Sequence, residues 1–200
     1  MMGIPEKISD FLKEFTKLAV KLGAEKEYIR YINTDKIVVG GSWVRWKCQF
    51  GCSNYGNSLC CPPFVPSPEE TAKLINQYHH AVLVGFKGTT RDVLKHRQRM
   101  NKAIYKLEKE AFLKGFVKAI GFASGTCLLC KKCIIQEDFM KGIPIDIARR
   151  YCRHKNKARP SLEAVGIDVF STVRNAGLEL EVITEDNIDK MKHFGLILLE

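Results

Sequence analysis

The thiols are the residues whose number and spacing most directly imply chemistry. This chain of 200 residues holds eight cysteines, and all fall in two tight groups: Cys48, Cys52, Cys60 and Cys61, then Cys127, Cys130, Cys133 and Cys152. Four thiolates close a tetrahedral metal site or hold one cubane iron–sulfur cluster. Cysteines serving as small hydrophobes would scatter along apolar stripes, whereas polar residues, glycine and lysine intervene here. The pattern predicts a metalloprotein with two cysteine-rich metal-binding segments, 48–61 and 127–152.

The second group carries the stronger motif. Cys127-Leu-Leu-Cys130-Lys-Lys-Cys133 is the C-x2-C-x2-C start of a ferredoxin-type ligand run, a spacing that lets three sulfurs curl around one cubane. Lys131 and Lys132 would soften the negative charge of such a cluster. The fourth ligand expected is Cys152, which follows 18 intervening residues and precedes Arg153 rather than proline. Closing that longer loop costs only slightly more, because loop entropy grows logarithmically with length. Zinc sites usually pair two C-x2-C knuckles, so the spacing favours iron–sulfur and leaves zinc as the alternative.

The first group, Cys48-x3-Cys52-x7-Cys60-Cys61-Pro62-Pro63, is less regular. Side chains of adjacent cysteines diverge along an extended backbone. Cys61 is the better-placed ligand, since Pro62 restricts its backbone to extended conformations, and Cys60 is either the fourth ligand or a bystander. A cubane held by three cysteines has one iron open to substrate or to a non-cysteine ligand. Gly51 and Gly56 suit a tight wrap of backbone around a cluster.

Other polar residues offer less. His79 and His80 precede an apolar run and His96 and His193 are isolated, so surface or capping roles account for them. His154 is close enough to Cys152 for a supporting or ligating role. Arg153, Arg159 and Ser161 are candidates for binding an anionic cofactor at a helix start, against the plainer reading of a cap with solvated arginines. No Gly-rich phosphate loop, Ser-His-Asp order or HExxH is present.

The elements that must position these groups are legible outside the cysteine segments. Ile8, Phe11, Leu12, Phe15, Leu18, Ala19 and Leu22 recur at helical period, and Gly23 stands where a C′ glycine would. Short strands are expected over 28–32 and 37–39, and a helix at Ser67 with Pro68 at N1 and Glu70 closing a capping box. A buried strand over 81–86, a long helix over 91–114 and a strand over 117–123 follow, then strands over 178–182 and 194–199. The expected fold is α+β, a mixed β-sheet packed with helices, forming a single domain over 1–200. The cysteine segments are expected as irregular loops.

Hydrophobic content of 46% suits a soluble globular chain able to bury a core without metal staples. No apolar run approaches the roughly 20 residues of a membrane span, and the N-terminus lacks a signal pattern. The expectation is a cytoplasmic protein, where cysteines serve as ligands more often than as disulfides. The formal net charge of +10 raises the possibility of nucleic acid. Two oxidised four-iron clusters of about −2 each would lower it to about +6, and no nucleic-acid signature accompanies it.

These residues resemble a family of uncharacterised predicted metal-binding proteins, grouped as domain of unknown function 2284. The likeness lies in Cys48…Gly51-Cys52…Tyr55-Gly56…Cys61-Pro62-Pro63 and in the Cys127–Cys133 run. It continues in Cys152-Arg153-His154…Ala158-Arg159-Pro160-Ser161…Glu163-Ala164…Gly166-Ile167-Asp168-Val169. Cys60 lies outside the family pattern, and the segment 134–151 is longer than usual. The resemblance implies metal binding of the iron–sulfur type and no established reaction. Together with the residues it supports two 4Fe-4S clusters relaying electrons to or from a redox partner protein. An enzyme with an open-iron cluster that binds substrate at the first site, and a zinc-stabilised binding protein, are the alternatives.

Overall fold

The computed structural model describes residues 6–200. Its frame is a sheet of four strands: β1 (Ile29–Asn33), β2 (His80–Lys87), β3 (Ile120–Phe122) and β4 (Lys192–Leu198), in the order β1-β2-β4-β3. Both faces are covered, so β2 and β4 read as continuous apolar runs. Ala81, Leu83, Phe194, Leu196 and Leu198 point to one side and Val82, Val84, Phe86, Ile197 and Leu199 to the other, as the two-residue side-chain period requires.

Helices α1 (Glu6–Lys21) and α4 (Val93–Leu113) cover the second of these faces. Ile8, Phe11, Phe15 and Ala19 of α1 meet Met100, Ile104, Leu107 and Ala111 of α4 over the strands. The stripes expected from helical periodicity therefore face the core, and Gly23 adopts the left-handed conformation (φ 98°) just past α1. The other face carries α3 (Pro68–Ile75) and α6 (Val169–Asn175), with the turn that leads into α6. The capping box forms as the residues predict. Ser67 Oγ accepts from Glu70 N–H at 3.2 Å, and Ser67 N–H donates to Glu70 Oε2 at 2.8 Å.

The α+β class stands, with a correction to the sheet: every strand pairing is antiparallel, not mixed. β2 and β3 are both antiparallel to β4 and so run parallel to each other, joined through α4. The last strand inserts between them, converting the expected parallel neighbours into two antiparallel ladders. Residues 178–182 form no strand. Leu178 and Leu180 pack on the core while Val182 is exposed, so the alternation reflects one extended segment lying on the core without a ladder partner. Residues 37–39 make only an isolated bridge, Val39 to Ile167.

The cysteine segments are not wholly irregular. Residues 42–51 form a helix, α2 (Ser42–Gly51), which carries Cys48 and ends at Cys52. Ile145–Ala148 is a short helix, α5, leading through a tight turn to Cys152. No helix among the described residues is long and apolar enough to cross a membrane.

Candidate metal centres

Four separate pieces of chain bring the thiols together, the last being the short helix α5 and the tight turn that delivers Cys152. Cys48 and Cys52 are four residues apart on α2 and its C-terminal end, hence on one face. Arg45, one turn before Cys48, anchors that helix: its Nη1 donates to Ala164 O at 2.6 Å and to Pro66 O at 3.2 Å. The chain before α2 is tied to the turn before α6, with Gly40 N–H to Gly166 O at 2.9 Å and Asp168 N–H to Val38 O at 2.8 Å. The α2 cysteines thus sit beside the 3-10 turn Glu163–Val165.

The Ser58–Cys61 turn is the second piece. Cys61 N–H donates to Ser58 O at 2.9 Å, and Cys60 N–H to Ser58 Oγ at 3.2 Å. The third piece leaves β3 at Ala123, which pairs with the chain at Ser161. Asn101 of α4 donates to Thr126 O at 3.4 Å, steadying the approach to Cys127.

Cys60 and Cys61 are both buried and face different neighbours. Cys61 joins Cys48 and Cys52, and its Sγ lies 3.3 Å from Thr126 Oγ1. Burial raises the Cys48 thiol above its ordinary pKa, and the negative charges of Cys52, Glu163 and Cys61 raise it further. Burial likewise pushes Cys61 up, against hydrogen bonds from Thr126 and Ser58. Cys60 turns instead toward the second group and lines a small void with Cys127, Cys130, Cys133, Cys152 and His154.

Within that group the Cys60 and Cys127 thiols interact closely enough to drive their pKa values apart. Cys60 is pushed up and holds its proton. Cys127 is pulled down to about 7 chiefly by Cys60, helped by the Leu129 amide and Arg149 against burial. Cys133 Sγ accepts from Leu59 N–H at 3.5 Å, and Arg149 donates to Leu59 O at 2.9 Å. Cys152 is raised chiefly by burial and then by the charges of Cys127, Cys133 and Cys130, with the His154 amide opposing. Thiols gathered in one place, with amides and an arginine directed at them, suit a metal cluster that binds them as thiolates. Among the described residues no set of three or more His, Cys, Asp or Glu side chains is drawn in around a single-ion position.

The first centre opens onto a cavity of about 560 Å3, lined by Cys48 and Cys52 together with Trp43, Arg97, Glu163 and His193. This falls within the range of small-molecule sites. Glu163 is half-buried as a residue, but its Oε2 is out of solvent and has no hydrogen-bond partner. Burial raises this carboxyl above the usual range, against its own backbone N–H and the Ser161 hydroxyl. The sequence marks Glu163 only as part of the family-like segment 152–169; its place in the first turn after a capping serine gives no sign of a ligand role.

Arg153, Arg159 and Ser161 each have partners of their own. Arg159 pairs with Glu108 through two hydrogen bonds, Nε to Oε2 at 2.5 Å and Nη2 to Oε1. Arg153 reaches Lys132 O at 3.1 Å and Glu137, and Ser161 Oγ caps Ala164 N–H at 3.2 Å. His96 and His193 are not isolated, since their rings stand 6.0 Å apart. Burial lowers His193 to about 4, so it is neutral near pH 7.

Comparison with curated proteins and with solved structures gives no match. A family model described as predicted metal-binding protein, domain of unknown function 2284, matches residues 30–199. That span takes in both cysteine groups and Glu163, and the chain belongs to this family of predicted metal-binding proteins.

Proposed function

We propose that this metal-binding protein holds two iron–sulfur centres and passes electrons between them and a partner redox protein. The observation that carries the reading is the grouping of Cys127, Cys130 and Cys133, at ferredoxin spacing, with Cys152 around one void. Cys127, Cys130, Cys133 and Cys152 hold one 4Fe-4S cluster, and Cys60 donates its proton to the Cys127 sulfur. Hydrogen bonds to cluster sulfurs are one of the levers by which proteins set reduction potentials. Cys48, Cys52 and Cys61 hold the other cluster. Trp46 and Phe50, exposed on α2 with rings 5.5 Å apart, give that centre an apolar rim suited to transient docking.

The cavity beside Cys48 and Cys52 favours a second reading, an enzyme that binds substrate at the first centre. Anaerobic reductive titration followed by electron paramagnetic resonance tests the redox reading. Iron–sulfur centres should give a brown protein whose colour bleaches on reduction as paramagnetic signals appear. A colourless, spectroscopically silent protein would fit zinc, with its filled d shell, and remove both readings together.

A further inference from the structure

Three thiols leave a fourth position to be filled at the first centre, and Asp168, Glu181, His193 and Glu163 all line the cavity beside it. Asp168 is held by Ser171 and Glu181 by Lys190, and of the four it is Glu163 that has a buried oxygen without a partner. We infer that Glu163 supplies that ligand through Oε2, an inference that rests on Cys48, Cys52 and Cys61 being metal ligands. A carboxylate oxygen shielded from water and left without a partner costs free energy that folding must recover elsewhere. Such orphans in a folded protein point to a missing ion or water. Glu163 Oε2 is such an oxygen, and no Lys, Arg or His among the described residues forms an ion pair with Glu163.

The bland role does not account for it. As an acid in the first turn after Ser161, Glu163 leans on its own backbone N–H and on the Ser161 hydroxyl, yet Oε2 still has no partner. Its charge is felt at Cys48, and it lines the same cavity wall as Cys48 and Cys52.

The surroundings hold Glu163 in place. Arg45 ties α2 to Ala164 at 2.6 Å. Gly166 closes the turn at φ 89°, where a Cβ would lie 2.6 Å from Pro68 Cγ. This is the rigid support that a ligand needs if it is to keep its geometry. Carboxylate is a ligand of both zinc and iron. Forming the metal–oxygen bond takes the deprotonated carboxylate, so any proton on it leaves to solvent. An iron held by this oxygen would be chemically distinct from thiolate-ligated ones, and Glu163 itself lines the cavity.

The test compares Glu163→Gln and Glu163→Cys with the unaltered chain, all purified anaerobically. Iron and sulfide are measured, and resonance spectra are taken after mild oxidation. Glu163→Gln should lose about one iron per chain and show a three-iron signal, while Glu163→Cys should retain the full complement of about eight. Circular dichroism and the signal of the second centre show that each variant is folded. Unchanged iron and spectra in Glu163→Gln would overturn the inference, as would equal loss in the Gln and Cys variants with the fold intact. If the unaltered chain holds zinc and no sulfide, the iron–sulfur reading fails by itself. The ligand assignment is then read from zinc, where loss of about one ion in Glu163→Gln supports it and full retention overturns it.

Discussion

Cys60 and Cys61 are neighbours in sequence and belong to different neighbourhoods in space. Cys61 faces Cys48, Cys52 and Thr126, and Cys60 interacts with Cys127. Cys61→Ala should therefore remove the first cluster, about four iron per chain, whereas Cys60→Ala should leave iron content near that of the unaltered protein. Equal loss of iron in the two variants would refute the distinction. The sequence predicts the divergence of the pair from an extended backbone, whereas the structure produces it in a turn, with Cys61 N–H bonded to Ser58 O at 2.9 Å. The destination of Cys60 is not legible there, since it depends on where β3 delivers Cys127. Glu163 is legible in the sequence as a residue of the family-like segment but not as a ligand, since its orphaned oxygen is a property of the folded chain.

At the scale of elements, the positions of the thiols follow from a few junctions. Periodicity disclosed α1 and α4, whose apolar stripes are long and regular, and the capping box disclosed α3. It did not disclose α2, because Trp43, Trp46 and Phe50 are exposed aromatics that break the amphipathic pattern a buried helix shows. The four-residue step from Cys48 to Cys52 was the available signal. Leu178–Val182 was misread for the opposite reason: its alternation is real, but nothing pairs with it. The junction that matters most is Gly166, where positive φ and the approach of Pro68 both exclude a side chain. Gly166→Ala should destabilise the protein by roughly 1–3 kcal/mol, read from the denaturant midpoint. A change within about 0.5 kcal/mol, the range of neutral surface substitutions, would show that the turn is not held as described.

For the whole molecule, two ideas about the thiols compete. In one, the sheet and its helices are a self-sufficient core that displays two metal centres in the segments around it. In the other, the cysteines are structural and their metal is zinc. The packing favours the first: both faces of the sheet are closed by side chains that include none of the eight cysteines. Among the described residues, the small cluster of Leu59, Ile134, Met140 and Ala148 packs against thiols, those of Cys133 and Cys152. The membership in a predicted metal-binding family accords with this and leaves the identity of the metal to experiment. The most direct measurement is the iron and acid-labile sulfide content of the anaerobically purified chain. Two cubanes predict about eight of each per chain. Stoichiometric zinc without sulfide would contradict the account at its centre.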